Sequence, residues 1–282
     1  MDGILLINKE KGISSFQTIG IVKKNPDIKK IGHSGTLDPA AEGLLLALVN
    51  KATKINDYMH NLSKVYELEI KFGAQTDTDD TEGKIIKECG VPEGLEGKIR
   101  AALPDFTGEI MQKPPVYSAI NKDGKKLYEL AREGKKVDPE PRKVSISEIE
   151  IISVKPPLAS LRVTCSTGTY MRSLARDLGE KTGSCAMLNY LKRTKIGKFT
   201  LDNAAKAADI KELKNHLIPI KDALYEIPPV ELNAKQAEMV RNGNVIKHDT
   251  CAEKGIIKLM HEDKVIAIGS VWGGIIKVKR GI

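Results

Sequence analysis

Alternation of apolar and polar positions is clearest over residues 64–73, where Tyr66, Leu68, Ile70 and Phe72 share one face and Glu67, Glu69 and Lys71 the other. A period of two belongs to a half-buried β-strand, and it puts Tyr66 on the core side. Residues 3–8 read as an earlier strand, and Lys9-Glu10-Lys11-Gly12 as the turn that follows it. A helix comes next, its start signed by Ser14 with Gln17 three places on. In that capping-box spacing each side chain satisfies a free backbone N–H of the other. Pro26 marks the helix end, because its ring has no N–H to continue the ladder. Further strands are predicted over 143–154 and 158–165, and helices over 124–133 and 169–181. In the last of these Tyr170, Leu174 and Leu178 recur at intervals of four and form the buried face. The mixture predicts an α+β fold built on a mixed, largely antiparallel central sheet with flanking helices.

Glu226-Ile227-Pro228-Pro229 interrupts this pattern, since consecutive prolines exclude helix. A boundary there divides the chain into residues 1–225 and 226–282. Beyond it come short β-like pieces over 255–260, 264–271 and 274–278, enough for a small barrel that leans on its neighbour for stability.

Composition narrows the class. The chain has 282 residues, 41% hydrophobic and 29% charged, which supports a folded core. Its formal net charge of +8 favours polyanionic partners, nucleic acid or an acidic membrane surface. The longest apolar run, Leu44 to Val49, is far short of the ~20 residues of a spanning helix. Met1-Asp2-Gly3 has no basic stretch ahead of an apolar one, so a signal peptide is not expected and the cytoplasm is. Cys89, Cys165, Cys185 and Cys251 are widely scattered without a C-x-x-C pair, and are expected to be buried or idle thiols. The five histidines are equally dispersed, so no metal site is expected. Asp77, Asp79 and Glu88 occupy the first, third and twelfth places of an EF-hand loop, but Glu82 stands where the sharp turn needs glycine.

The segment that carries chemistry is Gly32-His33-Ser34-Gly35-Thr36-Leu37-Asp38-Pro39, closed by Gly43. Its glycines and proline specify a loop rather than a helix or flat strand. Asp38 suits two roles there, capping the following turn or serving as a nucleophile. The second needs a nearby cation to keep a sheltered carboxylate ionised. Arg172, near the start of the helix after Cys165-Ser166-Thr167-Gly168-Thr169-Tyr170, is the candidate.

Residues 32–39, Lys64-Val65-Tyr66, residues 73–80, Gln112-Lys113-Pro114-Pro115-Val116-Tyr117-Ser118-Ala119 and residues 168–172 occur in the order seen in the TruB family of tRNA pseudouridine synthases. The chain resembles that family from Gly3 to about Lys198, and its C-terminal piece resembles, more weakly, the small PUA-like RNA-binding domain. The resemblance implies the pseudouridine synthase fold and conversion of uridine to pseudouridine in the T-arm loop of tRNA. Asp38 matches the catalytic aspartate, Tyr66 the tyrosine that stacks on the flipped uracil, and Arg172 the arginine that pairs with the aspartate. Tyr170 and Leu191 match residues lining the base pocket, and His33 the histidine that holds RNA with its base everted. Lys54 and Asp80 match supporting positions.

No cofactor is expected, because the isomerisation consumes no water, electrons or metal. The target base must leave its stack, as bases do in other enzymes that act on them. Residues 111–143 carry nine Lys or Arg against five acids, and residues 186–200 four against none. Lys192, Arg193, Lys195 and Lys198 in the second stretch are expected to face the RNA backbone. The expected partner is the tRNA T-arm, bound by a monomer with no obligatory protein partner and no membrane. Two other readings are a guide-RNA-dependent synthase of the dyskerin type and a noncatalytic tRNA-binding protein, the latter having no use for Asp38.

Overall fold

The computed structural model describes residues 1–118, 121–122, 124–127, 133, 137–248 and 254–282. Its main sheet is built from β1 (Gly3–Lys9), β2 (Ile31–His33), β3 (Glu42–Val49), β4 (Lys64–Phe72), β5 (Gly108–Gln112), β6 (Arg142–Lys155), β7 (Leu158–Cys165) and β8 (Ala186–Ile196). Across the sheet the order is β1-β3-β8-β4-β7-β6-β5, with β2 on the edge of β3. Every step is antiparallel except β3–β8, which is parallel and holds for only two residue pairs, Glu42 with Lys192 and Gly43 with Arg193. Gly43 makes that brief contact feasible. Its φ is +105°, and a Cβ there would stand 2.4 Å from the Arg193 carbonyl oxygen.

Three helices frame the sheet: α1 (Ser15–Val22), α2 (Leu95–Ala102) and α3 (Met171–Lys181). The capping box at Ser14 and Gln17 forms as predicted. The helix nevertheless ends at Val22, ahead of Pro26, because Asn25 N–H bonds back to Val22 O and tightens the chain into a turn. Leu68, Ile70 and Phe72 of β4 pack against Leu174 and Leu178 of α3 and Leu95 and Ile99 of α2 in one core. Strand β3 feeds two cores. Leu44, Leu46 and Leu48 enter one, while Leu45, Ala47 and Val49 enter the other with Ile19 and Val22 of α1. Of the helix predicted over 124–133, Lys125–Lys126 instead forms a short strand paired with Asn121–Lys122, and residues 128–132 lie outside the described residues.

Pro229–Glu231, Ile246–Lys247, Lys254–His261, Lys264–Trp272 and Ile275–Gly281 form a separate sheet covered by the helix Ala234–Arg241. It has its own core around Val230, Ile257, Leu259 and Ile276. Met260, Val265 and Ile268 meanwhile join the core of the main body. That apolar seam ties the two sheets together.

The cysteines depart from expectation. Cys89 and Cys185 are joined in a disulfide, and only Cys165 is described as a buried free thiol. Gly73 brings the pair together, donating its N–H to Cys185 O at 2.8 Å and accepting from Cys89 N–H at 2.9 Å. Neighbours 96 positions apart leave no trace in local spacing. Cys251 lies outside the described residues.

Candidate active site

The segment 34–41 joins β2 to β3 and is fastened from several sides. Ser15, the first residue of α1, accepts from Leu37 N–H and donates to Leu37 O through one hydroxyl, both at 2.9 Å. Gly12 N–H donates to Pro39 O at 2.8 Å. Buried Lys9, at the end of β1, donates to Ala41 O at 2.5 Å and to Pro39 O at 3.4 Å. Ala41 N–H closes a turn on Asp38 O at 3.0 Å. Held in this way, Asp38 turns its carboxylate outward, 43% exposed.

Arg172 meets it from the second residue of α3. Its Nη2 lies 3.0 Å from Asp38 Oδ2, and its side chain is only 8% exposed. The same guanidinium donates to Thr78 O at 3.1 Å and Tyr117 O at 2.9 Å, and lies 3.7 Å from Asp80 Oδ2. Asp80 is fixed in turn by the Thr78 hydroxyl at 2.6 Å and Glu82 N–H at 3.0 Å. Both terminal nitrogens of the planar fork are thus aimed at fixed acceptors, which a flexible ammonium cannot reproduce.

The helix start is positioned by Gln112 on β5, whose side chain accepts from Tyr170 N–H at 2.8 Å and donates to Tyr170 O at 3.1 Å. One turn along α3, Arg176 pairs with Asp79 at 2.9 Å and donates to Lys113 O at 2.9 Å. In the sequence Gln112 figures only as the first residue of a familial stretch and Lys9 only as a turn residue, without these roles. Arg176 goes unnoticed, although its spacing of four from Arg172 puts it on the same helical face.

Tyr66 is half-buried on β4, with its backbone paired to Arg193 on β8. Burial pushes the phenol up and Arg193 pulls against that rise, so the ring is a neutral phenol at neutral pH. Tyr170 and Leu191 are half-buried as well, Leu191 packing on the core beneath α3. His33 lies on β2, and burial followed by the Arg193 charge holds its imidazole below the ordinary value. A neutral ring results, its Nδ1 buried without a partner among the described residues. Beside these groups the ammonium of buried Lys64 is lowered to about 8, first by burial and then by the charge of Arg193.

Other predicted residues lie differently. Lys54 sits on a short turn after β3 and donates to Gly281 O of the C-terminal sheet at 2.9 Å. Lys195 is exposed and Lys192 half-buried. The Lys198 ammonium lies 4.5 Å over the Tyr225 ring. Arg193, expected on the RNA backbone, is corrected: it is 1% exposed and its guanidinium points inward. Strand alternation turns it to the face opposite Lys192, and Leu44 O and Gly35 O receive its hydrogen bonds.

A carboxylate on a rigid loop beside a desolvated arginine, with a tyrosine ring nearby, is equipped for nucleophilic attack on a planar substrate. Comparison with known proteins agrees in kind. Residues 23–171 match the family described as TruB family pseudouridylate synthase, N terminal domain. The protein named tRNA pseudouridine synthase B of Clostridium tetani is 39% identical over 275 residues, 95% of each chain. Its namesake in Aquifex aeolicus is 37% identical over 290 residues, 99% of each. Among solved structures, a chain of a Cbf5-Nop10-Gar1 complex superposes with a TM-score of 0.75 at 22% identity, covering 99% of this chain and 84% of that one, a likeness of fold. Identity at this level across nearly the whole length, over a sheet whose loops bring Asp38 to Arg172, leaves one conclusion: the chain belongs to the TruB family of pseudouridine synthases, an isomerase family.

Proposed function

We propose that this protein isomerises uridine to pseudouridine in the T-arm loop of tRNA, with Asp38 as the nucleophile. The observation that carries the reading is the 3.0 Å Asp38–Arg172 pair, one partner open to solvent and the other buried. The base must be everted to reach the carboxylate. Asp38 then attacks the nucleoside to form a transient adduct while the C1′–N1 bond breaks. The freed uracil turns in the pocket and C1′ joins C5. Loss of the C5 proton and protonation of N1 complete the exchange, and Asp38 is released unchanged. Tyr66 stacks on the uracil as a neutral phenol, with its hydroxyl near the departing proton. Tyr170 and Leu191 line the pocket, His33 holds the everted strand, and Asp80 steadies Arg172. Lys54 supports from the rim beside the C-terminal sheet. Residues 1–225 form the catalytic unit and 226–282 a small RNA-binding unit of the PUA kind.

The test is to incubate the protein with an unmodified tRNA transcript, without guide RNA, and map pseudouridine by mass spectrometry. One product in the T-arm loop is expected. Pseudouridine elsewhere only, or none until a guide RNA is added, rejects the assignment.

Lys192 and Lys195 follow the pocket residue Leu191, and in this reading they contact phosphate. Replacing both by Gln is expected to weaken tRNA binding and to flatten the slope of log affinity against log salt by about one unit or more. Filter-binding titrations at several salt concentrations measure it. Single-turnover rates at saturating tRNA should change much less, because positioning charges act before chemistry.

A further inference from the structure

Arg193 is among the largest fully buried side chains of the protein. A buried cation is costly unless its surroundings satisfy it, and an apolar residue of similar volume packs as well or better. Two of its hydrogen bonds go to backbone carbonyls: Leu44 O receives Nε–H at 2.7 Å and Gly35 O receives Nη2–H at 3.1 Å. These carbonyls flank Asp38, Gly35 before it and Leu44 after it. A single rigid guanidinium therefore spans the two roots of the loop that carries the carboxylate. Lys9 grips the tip of the same loop at Pro39 O and Ala41 O.

The Arg193 backbone is fixed as firmly as its head. It pairs with Gly43 on one side and with Tyr66 on the other. Cross-strand partners project side chains to the same face, so Arg193 and Tyr66 are neighbours there. Their charges are coupled accordingly: Arg193 opposes the burial-driven rise of the Tyr66 phenol through both its charge and a hydrogen bond. The Arg193 charge lowers both neighbouring cations, Lys9 and Lys64, after burial has done so, and among the described residues no carboxylate forms an ion pair with Arg193.

We infer that Arg193 is a positioning residue that locks the loop bearing Asp38 to the strand bearing Tyr66, fixing nucleophile and stacking ring in one geometry before the base arrives. The inference rests on the proposed roles of Asp38 and Tyr66. Misplacing a reacting group by about 1 Å is enough to cost on the order of a hundredfold in rate. Lysine preserves the charge but not the fork, so it separates the bracing role from simple charge.

Arg193→Lys should melt within a few degrees of wild type and bind tRNA with unchanged affinity and salt slope. Its single-turnover rate at saturating tRNA should fall at least about tenfold. Combined with Tyr66→Phe, the loss should be smaller than the product of the two single losses, because both act on one geometry. An unchanged rate overturns the inference. So does a flattened salt slope, which would mark a phosphate contact, or a rate loss that only tracks a collapsed melting temperature, which would mark a fold residue. Full independence from Tyr66→Phe also overturns it. Failure of the parent reading is seen separately, as turnover by Asp38→Asn whatever Arg193→Lys does.

Discussion

Asp38→Asn is expected to remove turnover altogether, a loss of at least about 10⁴-fold in single-turnover rate, while tRNA binding persists. The amide is isosteric with the carboxylate and keeps the turn closed by Ala41 N–H on Asp38 O, a backbone bond that the side chain does not touch. What it loses is the negative charge that makes the carboxylate oxygen nucleophilic toward the nucleoside. Stability should move little, by about 1 kcal/mol or less, because the Asp38 side chain is 43% exposed and solvent screens its pair with Arg172. Arg172 also keeps Asp80, Thr78 O and Tyr117 O as partners. Quenched-flow assays on tRNA transcript, with thermal melting and filter binding alongside, separate these effects. Turnover within tenfold of wild type would remove Asp38 from the chemistry.

Arg172→Lys is expected to have the second largest effect, and unlike Asp38→Asn it should reach both activity and stability. The guanidinium serves four acceptors on three segments: Asp38, Thr78 with Asp80, and Tyr117. An ammonium has charge enough but reaches two of these at best, leaving a sheltered carbonyl without a donor. That costs about 1–3 kcal/mol in unfolding free energy, read from the urea midpoint. The carboxylate, no longer held from a fixed direction, should react on the order of a hundredfold more slowly. A variant with wild-type midpoint and rate would show that the pair is an incidental contact.

Local pattern was a sound guide where an element has one face inward and one outward. The strand over 64–72 and the helix after Ser14 satisfy that condition, and each was legible from periodicity or capping spacing alone. Strand β3 does not satisfy it. Its successive residues enter two different cores, so Gly43-Leu44-Leu45-Leu46-Ala47-Leu48-Val49 has no alternation to detect. It reads as an apolar run, and the end of β8, with Lys192, Arg193 and Lys195, reads as a basic stretch facing RNA. These two strands form the seam of the sheet. The candidate residues stood out by their order along the chain and by its likeness to a family, not by any distance between them.

Sequence alone determined the α+β class, the strand of Tyr66, the glycine-bounded loop of Asp38 and the helix start of Arg172, because each depends on residues a few positions apart. Tertiary structure decided the rest. Asp38 and Arg172 lie far apart in the chain, and their 3.0 Å approach depends on where α3 packs against the sheet. The joining of Cys89 to Cys185 depends on Gly73 lying between them. The four cations after Leu191 look alike in composition, yet Lys195 is exposed and Arg193 is buried beneath the Asp38 loop. Burial of a charge is settled by which backbone carbonyls other segments bring within reach of it, and no local pattern records that.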